Sequence, residues 1–452
     1  MTSLKAHQFL NSFVNFEIQS GNGAGQFFQL QRIENLLKEL GDPQKSFKSI
    51  HVAGSKGKGT TCAFCAHILE KAGYKVGLYT SPHLKHVNER IRILGKDVRG
   101  RPKSQGIFPD SISDEDLDRL VGKYRVILEK FRDSPKHGPL TYFEVLTALA
   151  FKYFEQQSVD IVVLETGLGG RLDATNMVNP LVCGLTPISR EHTAILGDTI
   201  AKIAFEKAAI IKINKPVVIA PQTKEAQLVI EGQAHVKKAR PYWVGEDIVF
   251  DFGQTDPLQQ SFSVTGLHTR YQLNTRLLGR HQVVNAAVAI GLVECLETDS
   301  LYVAPQAIQS GIEDTFWPCR FEVVQKNPWI VLDAAHNPQS IRTLGDTVRR
   351  IFPDKKVFPI LGVSKDKDVR GICESILNMA TEIILTRSRN PRAYVFEESV
   401  KAIFKAIPVH EAFPVPEAVK LALTRAQKDD VILITGSIFL AAEAREVLLR
   451  EK

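Results

Sequence analysis

From about residue 48 onward, short continuous apolar runs alternate with longer stretches whose apolar residues recur at helical spacing. That alternation predicts β-α units around a mainly parallel sheet, because strands buried on both faces read as unbroken Val/Ile/Leu runs. "SIHVAGS" reads as a strand running into a loop, "TTCAFCAHILEKAG" as a helix ending at Gly73, and "YKVGLYTS" as the next strand. Ser113 and Asp116 stand in capping-box positions before an amphipathic helix, and another helix covers roughly 141 to 157. "VDIVVLETG", "PLVCGLTPIS" and "PVVIAP" follow as buried strands. The segment from about 95 to 112 is rich in Gly, Pro and Lys, lacks periodicity, and reads as a mobile surface loop.

The stretch "FDFGQTDPLQQSFSVTGLHTRYQLNTRLLG" alternates like an antiparallel excursion. After the Ala-rich helix "NAAVAIGLVECLE" the pattern resets. "WIVLDAA", "KKVFPILGV", "TEIILTR" and "DVILITGS" then alternate with helical stretches, which predicts a second α/β domain from about residue 301 to the C-terminus. A chain of 452 residues is too long for one ordinary core, in agreement with that division. No internal repeat is visible.

Composition narrows the classes. With 44% hydrophobic and 24% charged residues the chain is composed like a soluble globular protein. No apolar run is long enough for a bilayer, and "MTSLKAHQFLNSF" lacks a secretion-signal pattern, so the expectation is a cytoplasmic protein without a membrane partner. The net charge of +7 is spread without a basic block, so nucleic-acid binding gets little support and attraction to an anionic small molecule fits equally well. Six cysteines are too sparse for a disulfide framework and are expected as reduced thiols. Cys62 and Cys65 have redox or zinc spacing, yet they fall inside a predicted helix and no second pair completes a tetrahedral set.

"HVAGSKGKGTT", residues 51 to 61, lies between a predicted strand and a predicted helix, the setting an anion cradle needs. Backbone N–H groups at a helix N-terminus point at phosphate, glycines let it approach, and Lys58 supplies a point charge. The spacing departs from G-x-x-x-x-G-K-[ST]: Val52 stands at the first glycine, and Gly59 separates Lys58 from the hydroxyl of Thr60. A flexible turn before a helix would carry the same glycines. At the ends of three other predicted strands, Ser81 follows "GLYT", Glu165 ends "DIVVLE" and His192 follows "GLTPIS". Ligands of parallel sheets bind beyond the carboxyl ends of strands, so these three are candidate magnesium ligands beside a nucleotide phosphate, although histidine is unusual for so hard a cation. "GLGGRLDATN", 167 to 176, is a candidate phosphate or substrate contact. "LDAAHNP", 332 to 338, puts Asp333 and His336 at the start of a later β-α unit, where Asn337-Pro338 also reads as an ordinary helix start.

In this order the pieces resemble the folylpolyglutamate synthase and dihydrofolate synthase family, within the Mur-type ATP-dependent amide ligases. The matching stretches are "HVAGSKGKGTT", "TSPHL…ERIRILG", "TYFEVLTALAF", "LETGLGGRLDATN", "EHTAILGDTIAKIAFEKAAIIK", "GRHQVVNAAVA", "WPCRFE", "LDAAHNP" and "ILITGSIFL". That family's phosphate loop has the extra glycine. The resemblance implies an α/β fold: an N-terminal P-loop ATPase-like domain with a mainly parallel sheet, residues 1–300, and a smaller C-terminal Rossmann-like domain, residues 301–452. It implies that Gly54, Gly57, Lys58, Gly59 and Thr60 hold ATP phosphates, with Asn285, Arg320, Asp333 and His336 on the nucleotide. Two magnesium ions would be served by Thr60, Ser81, Glu165 and His192, and by Lys207 as a carbamate formed from CO₂; potassium is a further candidate ion. Lys58, Lys207 and His192 would be catalytic. The acceptor pocket would involve Phe27, Phe28, Gln29, Thr141, Tyr142, Phe143, Glu144, Leu172, Asp173 and Ala174. The chain departs from the family where Glu191 replaces Asp, and where Ala209, Cys319 and Ala334 replace Gly; glycine often marks a backbone conformation that other residues avoid.

The implied reaction is amide ligation by a monomer. ATP phosphorylates a carboxylate of dihydropteroate or of a reduced folate's terminal glutamate, and the amine of L-glutamate displaces phosphate. Two rivals stand beside it: a Mur-type ligase of a cell-wall precursor, which needs a uridine-nucleotide domain ahead of the phosphate loop, and a nucleotide-binding switch without ligase chemistry.

Overall fold

The structure, a computed structural model, describes residues 5–16, 29–95, 107–132, 139–299 and 301–450. Seven strands form the first sheet: β1 (Lys48–Ala53), β2 (Val76–Tyr79), β3 (Ile91–Leu94), β4 (Ile161–Glu165), β5 (Val182–Leu185), β6 (Val217–Ile219) and β7 (Pro241–Trp243). Their order is β3-β2-β4-β1-β5-β6-β7, and all neighbours run parallel except β2 and β3. Every residue of β2, β4 and β5 is buried, which is why their sequences are unbroken apolar runs. Because β1 lies between β4 and β5, its carboxyl end opens beside both: Val52 pairs with Glu165, and Ala53 with Leu185.

The helix Tyr142–Gln156 starts on a capping box. Thr141 Oγ1 accepts the N–H of Glu144 at 3.2 Å, and the Glu144 carboxylate accepts the N–H of Thr141 at 2.7 Å. Its apolar residues join those of the helix Leu30–Glu39 and of β2 and β4 in one buried cluster. Ser113 caps the helix Asp114–Arg132 by accepting the N–H of Asp116 at 3.1 Å, whereas the Asp116 carboxylate takes Arg119 and Tyr153 and leaves the box half made.

The expected mobile loop from 95 to 112 needs correcting in part. Residues 96–106 lie outside the described residues, but the end of the segment is packed, not mobile surface. Ile93 N–H donates to the Asp110 carbonyl and Ile112 N–H to that of Ile91. Phe108 is buried beneath the Arg92 guanidinium, 3.9 Å from its ring centroid, and Arg92 pairs with Asp110 at 2.9 Å. These partners come from β3, so no local periodicity announces them.

Three strands, β8 (Val249–Thr255), β9 (Gln260–Thr265) and β10 (Arg270–Thr275), form a small sheet in the order β10-β9-β8. Their tight turns, closed by Asp256 N–H to the Gln259 carbonyl and Gly266 N–H to that of Thr269, make neighbouring strands antiparallel. The third sheet holds β11 (Glu322–Gln325), β12 (Trp329–Leu332), β13 (Val357–Leu361), β14 (Ile383–Leu385), β15 (Val409–Glu411) and β16 (Val431–Thr435) in the order β11-β12-β16-β13-β14-β15. It is parallel except for β11 against β12.

The chain divides into two compact units: Met1–Phe252 with Phe262–Asn274 and His281–Thr315, and Phe316–Lys452 with Gly253–Ser261 and Thr275–Arg280. All six cysteines are buried thiols, and burial pushes Cys62 and Cys65 well above the usual thiol range, so the C-x-x-C spacing belongs to a helix core. No helix among the described residues is long and apolar enough to cross a membrane.

Candidate active site

The phosphate-type loop leaves β1 at Gly54 and enters the helix Lys58–Lys71 with Gly57 as its N-cap. Both glycines have positive φ, +149° and +88°. A Cβ at Gly54 would fall 1.9 Å from Thr186 Oγ1, and one at Gly57 would fall 2.2 Å from Asn285 Oδ1, so no side chain fits at either position. The N–H groups of Ser55 and Lys56 donate to the Pro187 carbonyl, which ties the loop to the chain after β5. Gly59 and Thr60 lie in the first turn, Thr60 buried.

Charge is concentrated here. The Gly54 carbonyl accepts from two ammonium groups, Lys207 Nζ at 2.8 Å and Lys58 Nζ at 3.2 Å. Lys58 also stands 4.0 Å from Glu165, whose other oxygen accepts the N–H of Ser81 at 3.0 Å. Lys207, 2% exposed on the helix Ile200–Ala208, pairs with Glu191 at 3.0 Å, and Lys56 lies 3.8 Å from the same carboxylate. Burial works to raise Glu191, but Lys207, Lys58 and Lys56 together hold its carboxyl at about 2. Lys207 moves the opposite way from what its ion pair alone would give. Burial first, then the neighbouring ammonium groups, outweigh Glu191 and bring it down to about 8. His192 is exposed one residue beyond Glu191, in the left-handed region at φ +47°.

Beside this loop lies a cavity of about 160 Å³ lined by Lys56, Gly57, Pro187, Pro221, His281, Val284 and Asn285. Asn285 is among the residues expected on the nucleotide. His281, Pro187 and Pro221 were not, although one signal existed: His281 and Asn285, four apart in the helix Arg280–Glu294, share a face.

The acceptor candidates converge in part. Glu144 is held by Arg32 Nε at 3.3 Å and, with Thr141, forms the capping box. Tyr142 is buried, while half-buried Phe143 packs so closely on Gly167 that a Cβ there would fall 2.5 Å from its ring. The start of this helix therefore abuts the loop carrying Leu172, Asp173 and Ala174. Asp173 is turned inward: its oxygens accept the N–H groups of Leu168 and Thr175 at 2.8 and 3.0 Å and the Thr175 hydroxyl at 2.5 Å. Gln29 immediately precedes the helix Leu30–Glu39, and Phe27 and Phe28 lie outside the described residues.

In the second unit, Arg320, Asp333 and His336 gather around the ends of β11 and β12. Asp333 accepts the N–H groups of Phe321 at 2.9 Å and Ala335 at 2.8 Å, while Arg320 donates to the Cys319 carbonyl at 3.0 Å. Cys319 and Phe321 both have positive φ, +58° and +46°. His336 Nδ1 donates to the Ala334 carbonyl at 2.8 Å, so that nitrogen carries a proton. Asn337 caps the helix Pro338–Ile351 by accepting the N–H of Ser340, so the helix-start reading of Asn337-Pro338 holds.

Comparison with known proteins decides the family. Residues 125–293 match the Mur ligase middle domain and residues 319–438 the Mur ligase glutamate ligase domain. The chain is 34% identical over 447 residues to the dihydrofolate synthase/folylpolyglutamate synthase of Bacillus subtilis, covering 98% of this chain and 99% of that one. This chain belongs to the dihydrofolate synthase/folylpolyglutamate synthase family. Its fold agrees with solved structures of that family: folylpolyglutamate synthase of Thermotoga maritima superposes with a TM-score of 0.82 at 31% identity, covering 99% of this chain and 96% of that one. Escherichia coli FolC, solved in complex with DHPP and ADP, superposes with a TM-score of 0.83 at 28% identity, covering 100% and 99%. The family's members are ATP-dependent amide-forming ligases with Mur-type domains, and the α/β expectation for both halves of the chain agrees with these neighbours.

Proposed function

We propose that this chain joins L-glutamate to dihydropteroate, to folylpolyglutamate, or to both, using ATP, as a cytoplasmic monomer. The observation that supports this most is the pair of ammonium groups, Lys58 and Lys207, sharing the single neutral carbonyl of Gly54. With Lys56, the unmodified cluster sets three cations against the two carboxylates of Glu165 and Glu191, and the excess positive charge is what a nucleotide phosphate at the helix N-terminus complements. The adjoining cavity, walled by Pro187, Pro221, Val284 and His281, suits the flat base, with Asn285 at its edge. Arg320, Asp333 and His336 are proposed nucleotide-binding residues of the second unit.

In the proposed reaction an oxygen of the acceptor carboxylate attacks the γ-phosphorus of ATP, ADP leaves, and an acyl phosphate forms. The glutamate amine attacks the acyl carbon, phosphate leaves, and the nitrogen gives up a proton. Lys58 neutralises charge on the transferring phosphoryl group, while Phe143 and the loop 167–174 orient the acceptor. Oxygen donors suit a hard divalent cation, and Thr60, Ser81 and Glu165 supply two hydroxyls and a carboxylate, with His192 as a further proposed ligand; when bound, magnesium contributes charge neutralisation on the phosphates.

Lys207 is proposed to carry a carbamate. Its amine is buried and brought down to about 8, so about a tenth of it is neutral at pH 7 and able to add CO₂, far more than for an ordinary lysine. The product replaces one of two crowded cations by an anion able to join the metal set. Carbon-13 NMR after labelled bicarbonate should show a carbamate signal that Lys207→Ala lacks; equal signals from both proteins overturn the assignment. The function itself is tested by glutamate-dependent ADP release, with dihydropteroate in one assay and a reduced folate in another. Release in neither sinks the ligase reading. The cell-wall rival is disfavoured, because relatives matched along 92% to 98% of the chain carry folate-ligase names.

A further inference from the structure

His51 is fully buried in the middle of β1, three residues before Gly54, and neither phosphate binding nor the proposed chemistry uses it. A histidine among Ile50, Val52 and Ala53 in a central parallel strand needs a reason. Its Nε2 lies 2.8 Å from Thr175 Oγ1, which in turn lies 2.5 Å from Asp173 Oδ1. With Asp173 as the carboxylate that accepts two main-chain N–H groups, the directions follow. The Thr175 hydroxyl has one proton and gives it to the carboxylate, so toward His51 it accepts, and the imidazole carries its proton on Nε2. Nδ1 is then a bare acceptor, and it is buried without a partner among the described residues. Burial, and secondarily the nearby Lys212 ammonium, hold the ring neutral by bringing its pKa down to about 3.

The far end of this relay is the residue that shapes the loop 167–174. Asp173 clamps that loop through the N–H groups of Leu168 and Thr175. Asn176, two residues past Ala174, is held separately by Lys212 at 2.7 Å. The strand that feeds the phosphate loop therefore grips the acceptor loop through hydrogen bonds inside the first unit.

We propose that His51 is a positioning residue for acceptor binding: through Thr175 it fixes the Asp173 carboxylate, and with it the loop that presents Leu172 and Ala174. This rests on the reading of 167–174 as acceptor loop. A partnerless Nδ1 is tolerated because the donor on the other nitrogen is what the loop requires.

The test is steady-state kinetics of the full chain with His51→Ala, His51→Gln, Thr175→Val, Thr175→Ser, Asp173→Asn and the double variant His51→Ala/Thr175→Val. His51→Ala and Thr175→Val are each expected to raise the acceptor KM about tenfold, with the ATP KM within twofold. The double variant should be no worse than the worse single, because both break one chain. His51→Gln, whose amide can donate in place of Nε2, and Thr175→Ser should recover most of the loss. Acceptor KM unchanged in Thr175→Val, equal rises in both KM values, or multiplying effects in the double variant each overturn the relay. If His51→Ala does not fold, the Val/Ser contrast at Thr175 decides alone. Asp173→Asn separates the two levels: if it leaves the acceptor KM unchanged, the acceptor-loop reading fails; if it raises that KM while Thr175→Val does not, the relay alone fails.

Discussion

The carboxyl edges of the two large sheets use charge in opposite ways. At the end of β1 in the first unit, Lys56, Lys58 and Lys207 crowd two carboxylates and one backbone carbonyl, and positive charge remains unmatched. At the ends of β11 and β12 in the second unit, Asp333 directs both oxygens to main-chain N–H groups, and the Arg320 guanidinium donates to its own neighbour's carbonyl. One edge is poised for a ligand's charge. The other uses its charged residues to hold a turn in an unfavourable backbone conformation. Substitutions at the first edge should therefore act on chemistry and on the pH dependence of folding, and a substitution at Cys319 in the second, away from the proposed nucleotide contacts of Arg320, Asp333 and His336, on backbone strain.

The sharpest way to break the comparison is Lys207→Ala. If that amine becomes part of the machinery that receives transferring charge, turnover with either acceptor should fall by about a hundred- to a thousand-fold, the range for losing one preorganised electrostatic group. Single-turnover ADP formation measures it directly. A near wild-type rate would make the lysine cluster a structural feature and remove the contrast between the edges.

A second effect is confined to folding and has a definite sign. Glu191 is held at about 2 against an ordinary 4.5, a difference worth about 3 kcal/mol. A depressed carboxyl contributes stability that is present above about 4.5 and is lost as the pH falls toward 2. Glu191→Gln should flatten that acid limb in urea unfolding under CO₂-free buffer. Lys207 acts at the other end: held near 8 against 10.5, it costs stability below about 8 and returns it as the pH rises toward 10.5. An unchanged acid limb in Glu191→Gln would show that the cluster is not electrostatically coupled.

Much of the first edge was legible in the sequence because strands buried on both faces leave unbroken apolar runs, and Ser81 and Glu165 follow such runs directly. The long-range partners were not. Phe108 and Asp110 look like loop residues until Arg92 of β3 covers them, and Pro187, Pro221 and His281 form one cavity wall from three distant segments. Thr141 and Glu144 carried a readable T-x-x-E cap, yet were read through the acceptor pocket alone; the structure shows both polar groups engaged in starting the helix. At Cys319 the signal was present as a departure from the family's glycine, and the left-handed φ of +58° is its physical content.

That position yields the smallest and most specific effect. A side chain in the left-handed region costs roughly 1–2 kcal/mol, which glycine avoids. At ordinary positions alanine is the more stable of the two by about 0.5–1 kcal/mol. Cys319 is fully buried, so both Cys319→Ala and Cys319→Gly lose the packing of the sulfur, and comparing them cancels most of that loss. If the turn is strained as its φ indicates, Cys319→Gly should be more stable than Cys319→Ala by about 1 kcal/mol in urea unfolding, reversing the usual order. The reverse result would mean that Asp333, through its bond to the Phe321 N–H, holds a turn without strain at residue 319, and that the second edge differs from the first only in having no charge left unmatched.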